Sequence, residues 1–210
     1  MSRITLDTKC RLCRTAGTKL FLKGARCLSA KCPIEKKGAV PPGMHGIKSN
    51  KKRTDYGIQL RAKQTAKRIF GVQETQFKNY FLKAKLLKGL VGDNLMNLVQ
   101  KRLDNVIYEA GLSLSRSHAK QLISHGHVLI NEKVLNISSY SVKKNDVVSL
   151  DLHTISTRPE EMRMSDKDFK PAPWLELNKA KHSVSILTEP TKENVSQEID
   201  VNLIIEYYSR

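Results

Sequence analysis

The sequence predicts an α+β protein. A cysteine-rich N-terminal module and a helical domain are followed by a small helix-helix-sheet domain and a C-terminal segment containing β-strands. Three observations lead to this prediction. All four cysteines lie between residues 10 and 32, apolar residues recur at helical spacing between 56 and 110, and short β-branched runs follow from 128 onward. The expected domains are residues 1–93, 94–155 and 156–210, and the last should pack on the N-terminal half.

The cysteine module is defined by a C-x2-C pair and a C-x4-C pair separated by thirteen residues, namely Cys10, Cys13, Cys27 and Cys32. Short spacings of this kind let one turn of backbone direct two sulfur atoms at a single ion. Seven basic residues flank the cysteines and favour the thiolate form that binds metal. We therefore expect a structural Zn²⁺ site, and an iron–sulfur cluster remains the alternative because four thiolates also bind one.

Helices are expected next, from apolar periodicity and terminal signals. The pattern predicts helices over residues 56–70 and 74–88, a third from the proposed N-cap Asp93 to about 110, and a short one over 116–124 capped by Ser115. Glycines follow each helix, as is typical of helix C-termini. The segment between the cysteine module and the first of these helices contains Pro41-Pro42-Gly43, which predicts an irregular arm.

Strands are expected from short runs of β-branched and aromatic residues. These runs predict strands over residues 128–131, 134–137 and 147–150, and further strands over 184–187 and 201–208.

Positive charge is concentrated in the first half of the chain. The 210 residues include 37 Lys and Arg against 20 Asp and Glu, a net charge of +17. Residues 1–100 hold 22 basic and 5 acidic residues, residues 101–150 hold 7 and 4, and residues 151–210 hold 8 and 11. A surplus of this size in one half indicates a polyanionic partner, because such a partner releases counterions on binding. A solvated basic surface is the less favoured interpretation, since crowded like charges destabilise a fold.

Composition also argues against several classes of protein. No run of 18 apolar residues is present, so no membrane span is expected. The longest apolar run in the first 22 residues is Leu20-Phe21-Leu22, which is too short for a secretory signal. We therefore expect a cytoplasmic protein without disulfides. No histidine or acid stands at a recognisable catalytic spacing, so neither an enzyme nor a small-molecule substrate is expected.

Six sequence pieces resemble the bacterial family of small-subunit ribosomal protein number four, here called S-four, in its zinc type with four cysteines. They are Cys10-Arg11-Leu12-Cys13-Arg14, the Lys23–Cys32 stretch, Pro41–Gly46, Arg102–Val106, Ser124–His127 with Asn131, and Glu206–Arg210. The order and spacing of these pieces carry the resemblance almost from end to end. Residues 101–150 also resemble the compact RNA-binding module that takes its name from this family.

The resemblance implies a structural ribosomal protein that binds the five-prime domain of small-subunit rRNA and nucleates assembly of the subunit body. It further implies contact with ribosomal protein S-five, which is linked to decoding accuracy, and a position near the channel by which mRNA enters. Exposed acids of the tail such as Glu198 and Asp200 are candidates for the S-five contact. Many family members have Gly where this chain has Glu132, so a wider hairpin is expected at that turn.

The candidate RNA-binding residues are basic or polar side chains in both halves of the chain. They are Arg3, Arg11, Arg14, Lys48, Lys51, Lys52, Arg53, Arg61, Lys63, Lys67, Arg68, Arg102, Arg116, Ser117, His118, Lys120, Gln121, His125, His127, Asn131 and Lys133. For Arg102, an internal ion pair with Asp104 is an equal alternative. For His125 and His127, which should share one face, packing at the helix end is the alternative.

Two other functions fit the sequence less well. An RNA-modifying enzyme with the same module needs a separate catalytic domain, and residues 151–210 are too few and lack a nucleophile motif. A zinc-containing DNA-binding regulator should show one recognition helix and a dimerisation seam. Here the basic residues are spread over several elements, which suits a folded RNA recognised by shape.

Overall fold

The computed structural model describes residues 9–46, 54–151, 156, 162–165, 169–179, 181–190 and 199–210. The chain divides into two compact units, the first formed by residues 1–85 and 196–210 and the second by residues 86–195. This division differs from the predicted boundaries at 93/94 and 155/156. The difference arises because the predicted C-terminal segment contributes to both units.

Among the described residues, eight helices come first, five strands follow them, and a ninth helix comes last. The helices are α1 (Lys9–Ala16), α2 (Ala25–Leu28), α3 (Pro33–Lys37), α4 (Asp55–Phe70), α5 (Glu74–Leu86), α6 (Val91–Gln100), α7 (Leu103–Glu109), α8 (Arg116–Ser124) and α9 (Val201–Tyr208). The strands are β1 (Val128–Ile130), β2 (Lys133–Val134), β3 (Val147–Leu150), β4 (Leu175–Asn178) and β5 (Ser183–Ile186). A 3-10 turn spans Arg163–Ser165. Across the described ranges, no helix has the length and apolarity needed to span a bilayer.

Helix α4 forms largely as the sequence predicts. The Thr54 hydroxyl accepts a hydrogen bond from the Gly57 N–H at 3.2 Å and so caps the first turn. Gly71 ends the helix in the left-handed conformation, with φ of 60°. The helix buries Ala66, Ile69 and Phe70 in the first unit.

The predicted terminal strand over 201–208 is wrong, because these residues form helix α9. Val201 and Ile204 are buried and Tyr208 is half-buried, which is helical spacing. The Asp200 carboxylate accepts hydrogen bonds from the N–H groups of Asn202 and Leu203, so it caps the helix. This cap and the packing against α4 outweigh the β propensity of residues 201–208.

The predicted single helix from 93 to 110 is also wrong, because it is divided into α6 and α7. Arg102 takes an extended conformation, with φ −66° and ψ 137°. The Leu103 N–H donates to the Tyr140 carbonyl, and the Val142 N–H donates to the Lys101 carbonyl. The chain at 101–103 therefore bonds to the 138–142 segment instead of continuing the helix. Asp93 lies inside the first turn of α6, whose N-cap is Leu90.

The sheet of the second unit is antiparallel, with strand order β2-β1-β3-β5-β4. The predicted strands at 128, 147 and 184 are present, the strand at 134 is shorter, and β4 was not expected. Because β5 pairs with β3, residues 175–186 extend the sheet that the sequence assigned to the middle domain. One face of this sheet shares a buried core with α7 and α8, including Leu103, Ile107, Ile123, Val128, Val148, Trp174 and Val184.

Candidate nucleic-acid interface

Helices α1 to α3 form a strongly basic region of the first unit. Residues 9–46 contain nine basic residues and one acid, Glu35. Glu35 is already engaged, because it accepts a hydrogen bond from the Lys19 ammonium. The exposed cations of this region are Arg11, Arg26, Lys31, Lys36 and Lys37. This part of the surface therefore offers positive charge without a competing carboxylate.

Arg14 has an internal role. Its Nε donates to the Val40 carbonyl at 2.8 Å, and its Nη2 donates to the Pro41 carbonyl at 3.2 Å. Both bonds hold the proline-rich segment against α1. Arg14, which was predicted to contact RNA, is thus a positioning residue for that segment, whereas Arg11 on the same helix is exposed.

The cysteines lie in the same basic region. Cys13, Cys27 and Cys32 are buried, and Cys10 is half-buried. Burial raises the pKa of the Cys13 thiol, a backbone hydrogen bond from Leu20 opposes that rise, and the other three cysteines add to it. The Lys23 N–H donates to Cys27 Sγ at 3.3 Å. Within the described ranges, no three His, Cys, Asp or Glu side chains are grouped so that they could hold a metal ion.

Helix α4 directs several predicted RNA contacts inward. Lys63 is 4% exposed, and its Nζ lies 2.7 Å from Glu74 Oε1. Lys67 Nζ lies 2.7 Å from Glu74 Oε2, so one carboxylate holds both cations. Lys63 is therefore a buried structural cation and not the surface RNA contact that the sequence predicts. Its orientation depends on α5 and α9, which a helical pattern within α4 does not reveal.

Glu74 is strongly acidic in this setting. Burial by itself would raise its pKa, but hydrogen bonds from Lys63, Lys67 and Tyr208 outweigh burial and lower the pKa to about 2. Arg68, on the same helix as the lysines, has a pKa lowered by burial. Arg61 is half-buried and has an interaction of its own. Helix α4 is thus a poorer source of phosphate contacts than its composition suggests.

Helix α5 supplies exposed cations that were not among the candidates. Lys78, Lys83 and Lys85 are exposed, whereas Phe77, Phe81 and Ala84 are buried. The signal was available in the sequence, because these lysines fall off the apolar stripe of the helix. Like Arg11, they are exposed cations of the first unit.

In the second unit, Arg102 forms a buried ion pair with Asp104. Arg102 is 2% exposed and Asp104 1%. The guanidinium donates from Nε at 3.0 Å and from Nη2 at 2.7 Å to the two carboxylate oxygens. Burial lowers the pKa of Lys120, whose Nζ lies 3.5 Å from Asp104, while the charge of Asp104 opposes that shift. Of the two alternatives for Arg102, the structure therefore supports the internal ion pair and not the RNA contact.

Arg116 begins α8 but faces α7. Its Nε donates to Asn105 Oδ1 at 2.8 Å, and its Nη2 donates to Glu109 Oε1 at 2.7 Å. The guanidinium also lies 4.2 Å from the centre of the Tyr108 ring. Arg116 thus couples the two helices, and its positive charge is already balanced by Glu109.

The solvent-facing edge of α8 is polar and mostly uncharged. Ser117, Gln121 and His125 are exposed at four-residue intervals, whereas His118 is half-buried. The rings of His125 and His127 are parallel to within 5°, with centroids 6.1 Å apart. The two histidines share one face, as predicted. This edge suits hydrogen bonding to ribose and bases better than it suits phosphate binding.

The β1–β2 hairpin engages Asn131. Its Oδ1 accepts from the Val147 N–H at 3.0 Å, and its Nδ2 donates to Asp146 at 3.1 Å. Asn131 and Glu132 both have positive φ, and Ile130 pairs directly with Lys133. The expectation of a wider hairpin is therefore wrong, because Glu132 adopts the conformation usually taken by Gly. Lys133 next to the turn is exposed.

Five candidates fall outside the described residues, namely Arg3, Lys48, Lys51, Lys52 and Arg53. Glu198 also lies outside them, and Asp200 is occupied as the cap of α9. For these cations the sequence prediction stands as it was made. The candidates that are exposed in the described residues are Arg11, Ser117, Gln121, His125, Asn131 and Lys133, and of these Asn131 already bonds within the second unit.

A basic helical unit joined to a helix-helix-sheet unit with a polar helix edge defines a protein of the RNA-binding class. The sequence profile described as the ribosomal protein S4/S9 N-terminal domain matches residues 6–100. The profile described as the S4 domain matches residues 101–148.

Proteins named small ribosomal subunit protein uS4 are similar over nearly the full chain. The protein from Halothermothrix orenii is 44% identical over 202 residues, which is 96% of each chain. The protein from Syntrophomonas wolfei is 43% identical over 211 residues, and the uS4A protein from Clostridium acetobutylicum is 45% identical over 210, with complete coverage of each chain. The chain belongs to the uS4 family.

Proposed function

We propose that this chain is a structural constituent of the small ribosomal subunit, in the cytoplasm, and binds small-subunit rRNA. Its role is structural and not catalytic. Support comes from family membership over the whole length of the chain and from one feature of the charge distribution. Residues 9–46 and 54–85 hold 16 basic and 3 acidic residues, a net charge of +13. Two of the three acids, Glu35 and Glu74, are already neutralised by lysines.

The exposed lysines of α5 provide the test. Replacing Lys78, Lys83 and Lys85 together by Gln should weaken binding to a transcript of the five-prime domain of small-subunit rRNA. The slope of log affinity against log salt should flatten by about 0.7–0.9 for every phosphate that the variant no longer binds. Binding is measured by filter retention over a range of salt concentrations, with duplex DNA as competitor. Preference for DNA would contradict the proposal and favour a DNA-binding regulator.

A matched control removes the same charge elsewhere. Lys170, Lys179 and Lys181 are also exposed, but they lie in residues 151–210, which are acidic overall. Their triple replacement by Gln should leave affinity and salt slope nearly unchanged. Equal losses of affinity in both triple variants would mean that only total charge matters, and the proposed basic surface would then be wrong.

The same proposal extends to assembly and to neighbours. Binding the five-prime domain early would nucleate the subunit body, and contact with ribosomal protein S-five would influence decoding accuracy near the channel by which mRNA enters. The acidic balance of residues 151–210 supports a protein neighbour for this part of the chain. Exposed Glu176 on the edge strand β4 is a candidate for that contact.

The S-five contact is tested by charge reversal. Glu176→Lys should reduce binding to purified S-five and alter misreading in reconstituted translation, with rRNA affinity unchanged. Glu132→Lys makes the same charge change at the β1–β2 turn and serves as the control. A loss of rRNA affinity without an effect on misreading would assign Glu176 to an RNA-facing surface.

We also propose a structural metal held by Cys10, Cys13, Cys27 and Cys32. The C-x2-C and C-x4-C donor set is chemically suited to Zn²⁺. The four thiols are not grouped as a coordination shell in the described structure, so binding a metal would require their side chains to converge. The N–H bonds from Leu20 to Cys13 and from Lys23 to Cys27 resemble the outer contacts that orient thiolate ligands. A bound metal would cross-link α1, α2 and the start of α3.

Metal content is a direct measurement. Protein purified under reducing, anaerobic conditions should carry one ion per chain by elemental analysis. A zinc site does not absorb visible light, whereas the alternative iron–sulfur cluster does. Cys27→Ser should lose the metal and destabilise the first unit. Metal-free protein that is fully folded would remove the metal from the proposal.

A further inference from the structure

The segment from Pro41 to Gly46 forms a rigid turn. Arg14 binds the carbonyl groups of Val40 and Pro41 from one side. The Gly46 N–H donates to the Gly43 carbonyl at 3.2 Å, which closes the loop. Gly46 is buried, and a Cβ placed there would overlap the carbonyl oxygen of Pro41. The turn therefore requires glycine at this position, and its three hydrogen bonds favour this shape before any partner binds.

This rigid turn presents an apolar side chain to solvent. Met44 at its apex is 93% exposed, and the next residue, His45, is also exposed. The other described methionines are buried, with Met96 at 1%, Met162 at 4% and Met164 at 6%. A single exposed apolar residue is ordinary on a protein surface. The unusual feature is that Met44 is carried by a hydrogen-bonded turn. Such a turn loses less conformational entropy on binding than a flexible loop does.

The surroundings of the turn favour a nucleic acid over a protein as its partner. The turn belongs to residues 9–46, where the single acid, Glu35, already pairs with Lys19. Methionine is among the apolar side chains that insert between bases, and histidine stacks on bases that are unpaired. Flanking cations would bind the adjoining phosphates.

We propose that the Pro41–Gly46 turn is a preformed rRNA contact in which Met44 packs against the face of an unpaired base. The proposal rests on the rRNA binding proposed above and adds to it an apolar contact that does not depend on charge. Arg14 and Gly46 act as positioning residues, since they hold the turn and do not themselves reach the base.

Methionine oxidation provides the test, with internal controls in the same chain. Dilute hydrogen peroxide should convert Met44 to its sulfoxide in the unbound protein and spare Met96, Met162 and Met164, as read by mass spectrometry of peptides. A bound transcript of the rRNA five-prime domain should slow Met44 oxidation about tenfold or more. If a complex forms and Met44 oxidises at the unbound rate, the inference is wrong while rRNA binding stands. If no complex forms, the proposed function fails and the inference fails with it.

Two variants separate the anchor from its support. Met44→Ala should weaken binding about tenfold and leave the salt slope unchanged, because no charge is removed. Gly46→Ala should weaken binding similarly by opening the turn. The control is Gly57→Ala in the first turn of α4, where an added Cβ would lie 3.3 Å from the Thr54 hydroxyl oxygen and touch no backbone, and it should affect binding much less. Unchanged affinity in Met44→Ala would overturn the inference. Protection of Met44 that appears only after ribosomal proteins are added would also overturn it and indicate a protein partner.

Discussion

Tyr208 donates its phenolic hydrogen to Oε1 of Glu74 across 2.9 Å, joining two residues 134 positions apart in the sequence. The Tyr208 ring stacks on Phe81, with centroids 4.8 Å apart. Lys63, which also binds Glu74, lies 4.1 Å from the centre of the Tyr207 ring. Helix α9 thus completes the environment that keeps Glu74 ionised and Lys63 buried. The identity of the cations that reach the surface depends on this contact.

The stability of the first unit should decline in acid through Glu74. Its pKa in the folded protein, about 2, is lower than its ordinary value of 4.5, so the stabilisation is complete above about 4.5 and is lost as pH falls through 2. Since the side chain is 44% exposed, solvent screening limits the effect to about 1 kcal/mol. Urea midpoints from pH 6 to 2 should fall less steeply in Glu74→Gln. The control Glu35→Gln removes an exposed pair and should follow the wild type.

Loss of the Asp104 carboxylate should strongly destabilise the second unit. Asp104→Asn leaves Arg102 buried without a counter-charge, which typically costs about 3–5 kcal/mol. Lys120→Met removes the more distant cation and should lower the free energy of unfolding by less than about 1 kcal/mol, because Asp104 still pairs with Arg102. Chemical denaturation followed by circular dichroism measures both. Equal losses of stability would show that the three charges act as one unit.

Glycine at position 132 should stabilise the protein. Glu132 has φ of 67°, where a side chain is strained, and glycine relieves this strain at some entropic cost. The expected net gain for Glu132→Gly is about 0.5–1 kcal/mol. Glu132→Ala retains the Cβ atom and should be nearly neutral in the same thermal unfolding experiment. A gain of the same size for Ala would assign the effect to charge and not to backbone strain.

Removing the cap of α9 should loosen the first unit. Asp200→Ala deletes the acceptor for the N–H groups of Asn202 and Leu203, at an expected cost of about 1 kcal/mol. Asn202→Ala alters the same turn without removing the cap and should change stability little. The readout is amide hydrogen exchange in residues 201–208, which should accelerate only in the Asp200 variant. Unchanged exchange would mean that packing alone holds the helix.

Elements with strong local signals were predicted closely. Ser115 caps α8 by accepting from the His118 N–H at 3.2 Å, and the helix has the predicted bounds. The position of α4 differs from expectation by one residue at its start. Terminal caps and apolar periodicity lie within a few residues of the helix they specify. They are therefore readable without knowledge of the rest of the chain.

The candidate site was harder to predict, because a list of cations does not say which way each points. Lys63 and Arg102 are of the residue type that often contacts RNA, yet each forms an ion pair with a carboxylate inside the protein. The exposed lysines of α5 lie off its apolar stripe, although they are not among the candidates taken from the sequence. Side-chain orientation in a short helix depends on its partners, and here those partners come from distant parts of the sequence.

The charge gradient, the cysteine spacing, the bounds of most helices and the resemblance to one family can all be read from the sequence alone. These properties depend on composition or on neighbours within a few residues. Three features depend on long-range contacts: residues 201–208 form a helix, the predicted helix over 93–110 is interrupted at Arg102, and β4 and β5 extend the sheet. The reason is the same in each case, because hydrogen bonds and buried contacts with residues far along the chain outweigh modest local preferences.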